Sequence, residues 1–391
     1  MESKYLVSIA IPTYNHQMYA KRVVRQVYSL GKDIQIVISD NSTEDTLRDE
    51  LKDIIDDNRV KLIYTPDKVS VVENYDIAAS NCDGEYYCAI GDDDIVLESI
   101  IKVARWMKRE KIDAVRSSRW AVYNWPDNNK GVVSLGPFTG KAKKVDTYQA
   151  VIDTLKYGCQ SFMETDMIGT YHEIVKKSVL DRAKNICGHY YSGFSPDIYS
   201  ATAISLLPDL NAMRIDYPIT IPGMSNGSAT QKARNKSIVS SVEAAIKKYG
   251  KEGYVWDSRV PYLYMPQTTW ATTMLNAIED MNCHSLIKKY YNKEYLINSC
   301  ANYHGGIYET DLKKYLSDDE KKLLNKKIDT SFTGKERGWI ERQFEKIKTV
   351  FYIARGTKYR KVGVFNSEDA ARLANNFLNT DRMKKMINYM S

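Results

Sequence analysis

Three consecutive carboxylates, Asp92, Asp93 and Asp94, follow the apolar run Tyr86–Ile90. Like charges crowded at a strand end repel unless a cation or several hydrogen-bond donors compensate them, and hard divalent ions prefer such oxygen ligands. A solvated acidic turn ahead of a helix beginning at Ile95 is the competing reading, and spacing alone does not separate the two. Two further polar clusters close earlier apolar runs: Pro12-Thr13-Tyr14-Asn15 after the first and Asp40-Asn41-Ser42 after the second. Open α/β sheets bind ligands beyond the carboxyl ends of their strands. The three clusters therefore share one edge and outline a nucleotide pocket with a metal at one end. The phosphate-binding patterns GxGxxG and GxxxxGK[ST] are absent here, which argues against a dinucleotide site or a P-loop.

The elements that must carry these clusters alternate in type. Apolar runs predict strands at Leu6–Ile11, Ile34–Ser39, Val60–Tyr64, Tyr86–Ile90 and Ala114–Ser117, with helical spacing near 16–30, 44–56, 70–80 and 95–110. This is the rhythm of strand-helix-strand units on a parallel sheet. The acidic residues of Thr43-Glu44-Asp45-Thr46 suit the first turn of a helix. Residues 118–145, with Trp120, Tyr123, Trp125 and several Gly and Pro, predict hairpins and a surface loop. Helical spacing returns over 145–207, broken near His172 and at Gly188–Pro196. A short strand pair is expected over 212–222, and Pro222–Thr230 reads as a mobile loop able to close over a ligand. Beyond about 235 the pattern is mostly helical and rich in lysine doublets.

At 391 residues, 43% hydrophobic and 27% charged, the chain is a folded protein of about two domains, not a disordered, collagen-like or disulfide-scaffold one. Its six cysteines form no CxxC pair and read as reduced thiols of a cytosolic protein. The N-terminal residues lack the pattern of a signal peptide, and the uncharged stretch Val260–Ile278 holds too many polar residues and prolines to cross a bilayer. Residues 1–230 carry 27 basic and 31 acidic side chains, whereas 231–391 carry 29 and 18. A basic second half suits an anionic partner or a well-solvated helical surface.

The segments IPTYN (11–15), IVISDNSTEDT (36–46), ENYDIAASNCDGEYYCAIGDDD (73–94) and SPDIYSA (195–201) resemble the inverting family 2 glycosyltransferases. The resemblance covers roughly residues 5–230. It implies the GT-A fold, the α/β Rossmann-like mixed sheet of nucleotide-diphospho-sugar transferases, over 1–235; the basic, mainly α-helical domain expected over 236–391 from its spacing and charge lies outside the resemblance. It implies that Asp40 hydrogen-bonds the donor base, typically uracil, with Pro12, Thr13 and Tyr14 lining it. Asp92 and Asp94 become the DxD pair, with Asp93 between them at the donor. Asp94 would ligate Mn²⁺ or Mg²⁺, and Asp92 would meet the ribose or a metal-bound water. Asn74 and Lys68 would contact the nucleotide and its diphosphate. Asp197 falls where the family places its catalytic base, although Pro196 stands where many relatives carry a second carboxylate. The next histidine after Asp197 is His284, too distant for the metal ligand some relatives place there. His172, Trp120 and Trp125 are the candidates for the acceptor side.

The implied activity is metal-dependent, inverting transfer of a sugar from a UDP-linked donor to a glycan or lipid-linked glycan, as in bacterial surface polysaccharide synthesis. The expected location is the cytoplasm, at the inner face of the membrane. Ile340, Phe344, Ile347, Phe351 and Ala354 recur at helical spacing ahead of Arg355, Lys358, Arg360 and Lys361, which suits peripheral contact with anionic lipid or packing on the helical domain. The alternative is a basic nucleic-acid- or membrane-binding scaffold. It leaves Asp40, the acidic triplet and Asp197 unexplained, and no nucleic-acid motif is visible.

Overall fold

The computed structural model describes residues 3–67, 69–118, 120–160, 162–226, 241–249, 253–303, 309–324 and 352–390. The strands, in chain order, are β1 Val7–Thr13, β2 Ile34–Asp40, β3 Val60–Tyr64, β4 Tyr86–Ala89, β5 Ile95–Val96, β6 Ala114–Arg116 and β7 Ala121–Asn124. They continue with β8 Val132–Leu135, β9 Ala142–Lys144, β10 Ile174–Lys176, β11 Ala212–Ile215, β12 Thr220–Ile221, β13 Gly223–Met224 and β14 Tyr359–Val362. Eight of them form one mixed sheet in the order β3-β2-β1-β4-β10-β6-β11-β9. With the mainly helical segments after residue 241, this is the α/β architecture expected of the GT-A fold.

β1 and β2 are buried along their whole length. That is why both read as near-continuous apolar runs, as central parallel strands with both faces covered do. Their register sets Thr13 opposite Asp40, and β1 pairs on its other side with β4, Ala10 opposite Ala89. The three polar clusters therefore emerge at one edge. Ser70 starts the helix Val71–Ser80 by a reciprocal capping box with Glu73, which fixes the entry of the turn bearing Asn74 and Tyr75.

Several local expectations are corrected. The sheet is mixed, as the resemblance implied, with β10 antiparallel between β4 and β6, so the parallel strand-helix rhythm does not extend across all of it. Ile95 does not begin a helix: β5 pairs with β12, and the helix starts at Ser99. Buried Gln26 holds β5 extended, donating from Nε2 to the Val96 carbonyl and accepting from its N–H, at 2.8 and 3.0 Å. The 212–222 segment is not a pair: β11 joins the main sheet while β12 leaves it for β5. The helix expected over 44–56 is a single turn, Leu47–Glu50, continued as turns. The hairpin in 118–145 is present as antiparallel β7 and β8. All six cysteines are free thiols.

The chain after residue 241 packs back on what precedes it. The helix Pro266–Asp280 lies against the helix Pro196–Ser205, β14 pairs with β8 in a separate four-stranded sheet of order β13-β7-β8-β14, and the helix Ser367–Leu378 covers Gln17–Tyr28. Each of the two apolar clusters consequently draws residues from both sides of residue 235. No helix among the described residues is long and apolar enough to cross a membrane. The amphipathic run Ile340–Phe351 lies outside the described residues.

Ala370 and Ala374 are fully buried in the last of these contacts. Ala374→Asp places an unpaired charge there and is expected to cost about 3 kcal/mol or more. A thermal melt should fall by roughly 5 °C or more, with the N-terminal sheet unfolding in the same transition.

Candidate active site

The carboxyl edge of the sheet holds two kinds of carboxylate. Asp94 is almost completely buried and fully engaged. Its Oδ2 accepts from the Gly91 N–H at 2.6 Å and the Tyr171 hydroxyl at 2.9 Å, and its Oδ1 accepts from the Gly223 N–H at 2.6 Å. His172 Nε2 lies 3.2 Å from Oδ2. Although burial opposes ionisation, His172 and these donors hold the Asp94 carboxyl below the usual carboxylate range. Asp93 is buried too, and its Oδ2 accepts from Ser225 N–H and Oγ at 3.0 and 2.6 Å. Burial, then the charges of Asp94 and Asp92, push its carboxyl up, to about 7. Asp92 retains partial exposure. It accepts from Thr13 Oγ1 at 2.7 Å and stands 3.3 Å from His16 Nδ1.

Asp40 behaves differently. It is fully buried, and Oδ1 accepts from the Ser42 N–H at 2.9 Å, but Oδ2 meets no donor among the described residues. Burial raises its carboxyl above the ordinary value. Asn74 is similar: Nδ2 donates to the Thr13 carbonyl at 3.1 Å, while Oδ1 is buried without a donor. Two buried acceptors beside Thr13 thus lack donors, and such groups are rare unless a ligand or water completes them. Asn15 ties the loops after β1 and β2 together, its N–H donating to Ser42 Oγ at 2.8 Å and its side-chain oxygen accepting from the Thr43 N–H at 3.0 Å.

Asp197 occupies the first turn of the helix Pro196–Ser205, where Pro196 fits the opening position and the macrodipole favours a negative charge. Its Oδ1 accepts from Ser195 Oγ at 2.7 Å. Burial, then the charges of Asp94 and Asp197, push the Tyr75 phenol well up, so that Asp94 and Asp197 lie within electrostatic reach of one tyrosine that no sequence signal singled out.

Asp94, expected as a metal ligand, accepts from Gly91, Tyr171 and Gly223. His172 does not line an acceptor cleft. It is buried, with Nδ1 2.9 Å from Thr220 Oγ1. Trp125 is buried as well, its Nε1–H donating to the Asp93 carbonyl at 2.8 Å and its ring packing on Tyr19 and Tyr123. Of the acceptor-side aromatics only Trp120 is exposed. Pro12 is buried within β1 opposite Ser39, whereas Tyr14 is 55% exposed and offers an open ring at the edge. The expected mobile loop is anchored over 222–226, because Gly223 and Ser225 donate to Asp94 and Asp93. A Cβ at Gly223 would run into the Asp93 carbonyl, which explains glycine there. Lys68 and residues 227–230 lie outside the described residues.

The sequence signals for the missed residues were faint. Tyr75 lies inside the quoted 73–94 segment, but Tyr171, Ser225 and His16 carry no motif and reach the triplet only through tertiary pairing.

Among the described residues no three His, Cys, Asp or Glu side chains converge as a metal cage. Magnesium-type sites need only one or two carboxylates when substrate phosphates supply other ligands. Asp92, partly exposed and bonded on each oxygen only once, fits that reduced role.

Comparison with known proteins gives a consistent family. Residues 8–162 match the model of Glycosyl transferase family 2. Glycosyltransferase GlyG of Streptococcus pneumoniae serotype 4 is 27% identical over 130 residues, 32% of this chain. The matched region spans 42% of that relative's length. Among solved structures, S. aureus TarS 1-349 in complex with UDP-GlcNAc is 13% identical, with a TM-score of 0.48 over 96% of this chain and 92% of that one. The same protein in complex with UDP gives 12% and 0.46 with the same coverage.

Asp94→Ala is expected to destabilise the chain by about 3 kcal/mol, since it leaves three buried donors unpaired. Asp92→Ala should cost less than about 1 kcal/mol, its carboxylate being partly solvated. Chemical denaturation of both variants checks the order; equal losses would contradict the division of labour within the triplet.

Proposed function

We propose that this chain, with family 2 glycosyltransferase sequence over residues 8–162, transfers a sugar from a nucleotide-diphosphate donor to a hydroxyl of a glycan with inversion at the anomeric carbon. The observation that carries the reading is the pair of buried acceptors without donors, Asp40 Oδ2 and Asn74 Oδ1, at the edge of β1 and β2. A nucleoside supplies N–H and O–H donors. Uracil, with one ring N–H between two carbonyls, suits a lone carboxylate oxygen, so the donor is taken to be UDP-linked. The exposed Tyr14 ring offers a face for the base.

The acceptor hydroxyl gives its proton to Asp197 Oδ2 while Ser195 holds Oδ1. The acceptor oxygen bonds to the anomeric carbon, and the bond from that carbon to the diphosphate oxygen breaks, releasing the nucleoside diphosphate. Attack from the face opposite the leaving group inverts the centre. Asp197 acts by position, as a base matched to a hydroxyl whose acidity rises only as the new bond forms. A Mn²⁺ or Mg²⁺ ion would be held by Asp92 and would neutralise charge on the diphosphate. Asp94 contributes by fixing the turn that presents Asp92.

The acceptor is a glycan or lipid-linked glycan of a bacterial surface polysaccharide, worked on at the inner face of the membrane. The basic excess after residue 230 supports an anionic surface nearby, and the exposed Arg360, Lys361, Val362 and Phe365 lie together in the described C-terminal segment.

Calorimetric titration with UDP, GDP and CMP tests the donor. UDP should bind best, and Asp40→Asn should weaken it by roughly tenfold, the loss of one charge-assisted hydrogen bond. Asp197→Asn should leave UDP binding unchanged and lower transfer by about 10²-fold or more. Equal affinity for all three nucleotides, or undiminished transfer by Asp197→Asn, would overturn the assignment.

A further inference from the structure

A cavity of about 370 Å³ lies between the loop bearing His189 and Ser192, the segment at Tyr254, and the C-terminal half of the Pro266–Asp280 helix at Asn276 and Asp280. A smaller one of about 90 Å³ shares His189 and Ser192 and reaches the Val71–Ser80 helix at Glu73 and Asp76. The larger matches the size of small-ligand sites, roughly 300–1,000 Å³. None of the donor-edge residues lines either cavity.

The lining selects the chemistry of the occupant. Among the described residues no Lys or Arg lines the larger cavity, so a phosphate meets no cation from them. Its carboxylates are already matched. Glu279 accepts from Arg259 Nη1 at 2.6 Å, and Asp280 Oδ2 accepts from the Tyr199 hydroxyl at 2.6 Å with His189 Nε2 3.3 Å away. A free cation therefore gains little. The walls offer the Tyr254 ring, the Ser192 hydroxyl, the Asn276 amide, which donates to the Tyr254 hydroxyl at 2.8 Å, and the His189 imidazole, whose Nε2 meets the Tyr199 hydroxyl at 2.8 Å. An aromatic face beside polar hydrogen-bonding groups suits a sugar ring.

The position connects this hollow to the base. Tyr254 packs edge-on against Phe194, whose ring centroid is 4.8 Å away, and Phe194 immediately precedes Ser195 and Asp197. Tyr191, on the smaller cavity, meets Tyr75 at 5.4 Å, and Tyr75 senses the charge of Asp197. We propose that the two adjoining cavities form an acceptor subsite holding an uncharged sugar unit of the glycan, away from the hydroxyl presented to Asp197. This rests on the glycosyltransferase reading above.

Saturation-transfer NMR on the full chain tests it with maltotriose, cellotriose, chitotriose and mannotriose, beside inorganic phosphate and spermidine. At least one trisaccharide should receive saturation. That signal should disappear in Ser192→Trp, which fills the hollow, and in Asn276→Leu, which removes an amide, both checked by melting temperature. It should persist in Asp40→Asn. UDP titration of the same samples reports on the donor site separately, so failure here is distinguishable from failure of the donor assignment. Saturation of no trisaccharide, signals surviving in both folded cavity variants, or signals only from phosphate or spermidine would overturn the proposal.

Discussion

A carboxylate that is buried and charged has to be surrounded by donors, and Asp94 imposes that requirement on three separate stretches of the chain. Gly91 supplies an N–H from its own turn, Tyr171 a hydroxyl from the approach to β10, Gly223 an N–H from β13, and His172 a nearby imidazole. Removing such a group from water without these partners costs several kcal/mol. The turn after β4, the inserted antiparallel strand and the 220–225 segment therefore have one mutually consistent arrangement. Ser225 repeats the device on Asp93. Glycine at 223 follows from the same constraint, because the backbone must come against Asp93 more closely than any side chain allows.

Satisfied and unsatisfied acceptors then separate architecture from function. Asp94 and Asp93 spend their oxygens on protein donors, whereas Asp40 and Asn74 each keep a buried oxygen with none among the described residues. Charge alone does not make this distinction: Asp40 is as buried as Asp94. Partners do. The edge of the sheet is built so that its internal acceptors are filled by the fold and those beside Thr13 are left for something else. Asp92 falls between the classes, bonded to Thr13 yet partly exposed.

What the sequence made legible follows from the range of the forces involved. β1, β2, β4 and β6 could be read because strands buried on both faces are largely apolar, a property carried by consecutive residues, and β3, half-buried at the sheet edge, by its run of Val60, Leu62, Ile63 and Tyr64. Their polar ends could be read for the same reason, since Thr13, Asp40 and Asp92 interrupt those runs. β10 could not, as Ile174–Lys176 is three residues long and owes its place to pairing with β4 and β6. β5 was mistaken for a helix start because the buried Gln26 that holds it extended lies 70 residues away. Trp125 and His172 were placed at an acceptor rim from residue type. An indole N–H and an imidazole are equally suited to finishing the hydrogen bonds of a buried acidic turn, and in this fold that is where they go.

The helical segment after residue 241 bears on the proposed chemistry through Asp197, the proposed base. Asp197 needs a fixed direction more than a shifted acidity, and a first-turn residue inherits its direction from its helix. The Pro196–Ser205 helix is buried on all sides from Ile198 onward, much of its cover coming from Pro266–Asp280. Tyr199, two residues past Asp197, is fully buried and donates its hydroxyl to Asp280 on that covering helix. Thr273, one helical region earlier on the same element, accepts from the Phe194 N–H just ahead of Ser195. Both ends of the turn that presents Asp197 are thus held by the Pro266–Asp280 helix, which makes the C-terminal segment a positioning element of the site whatever else it contacts.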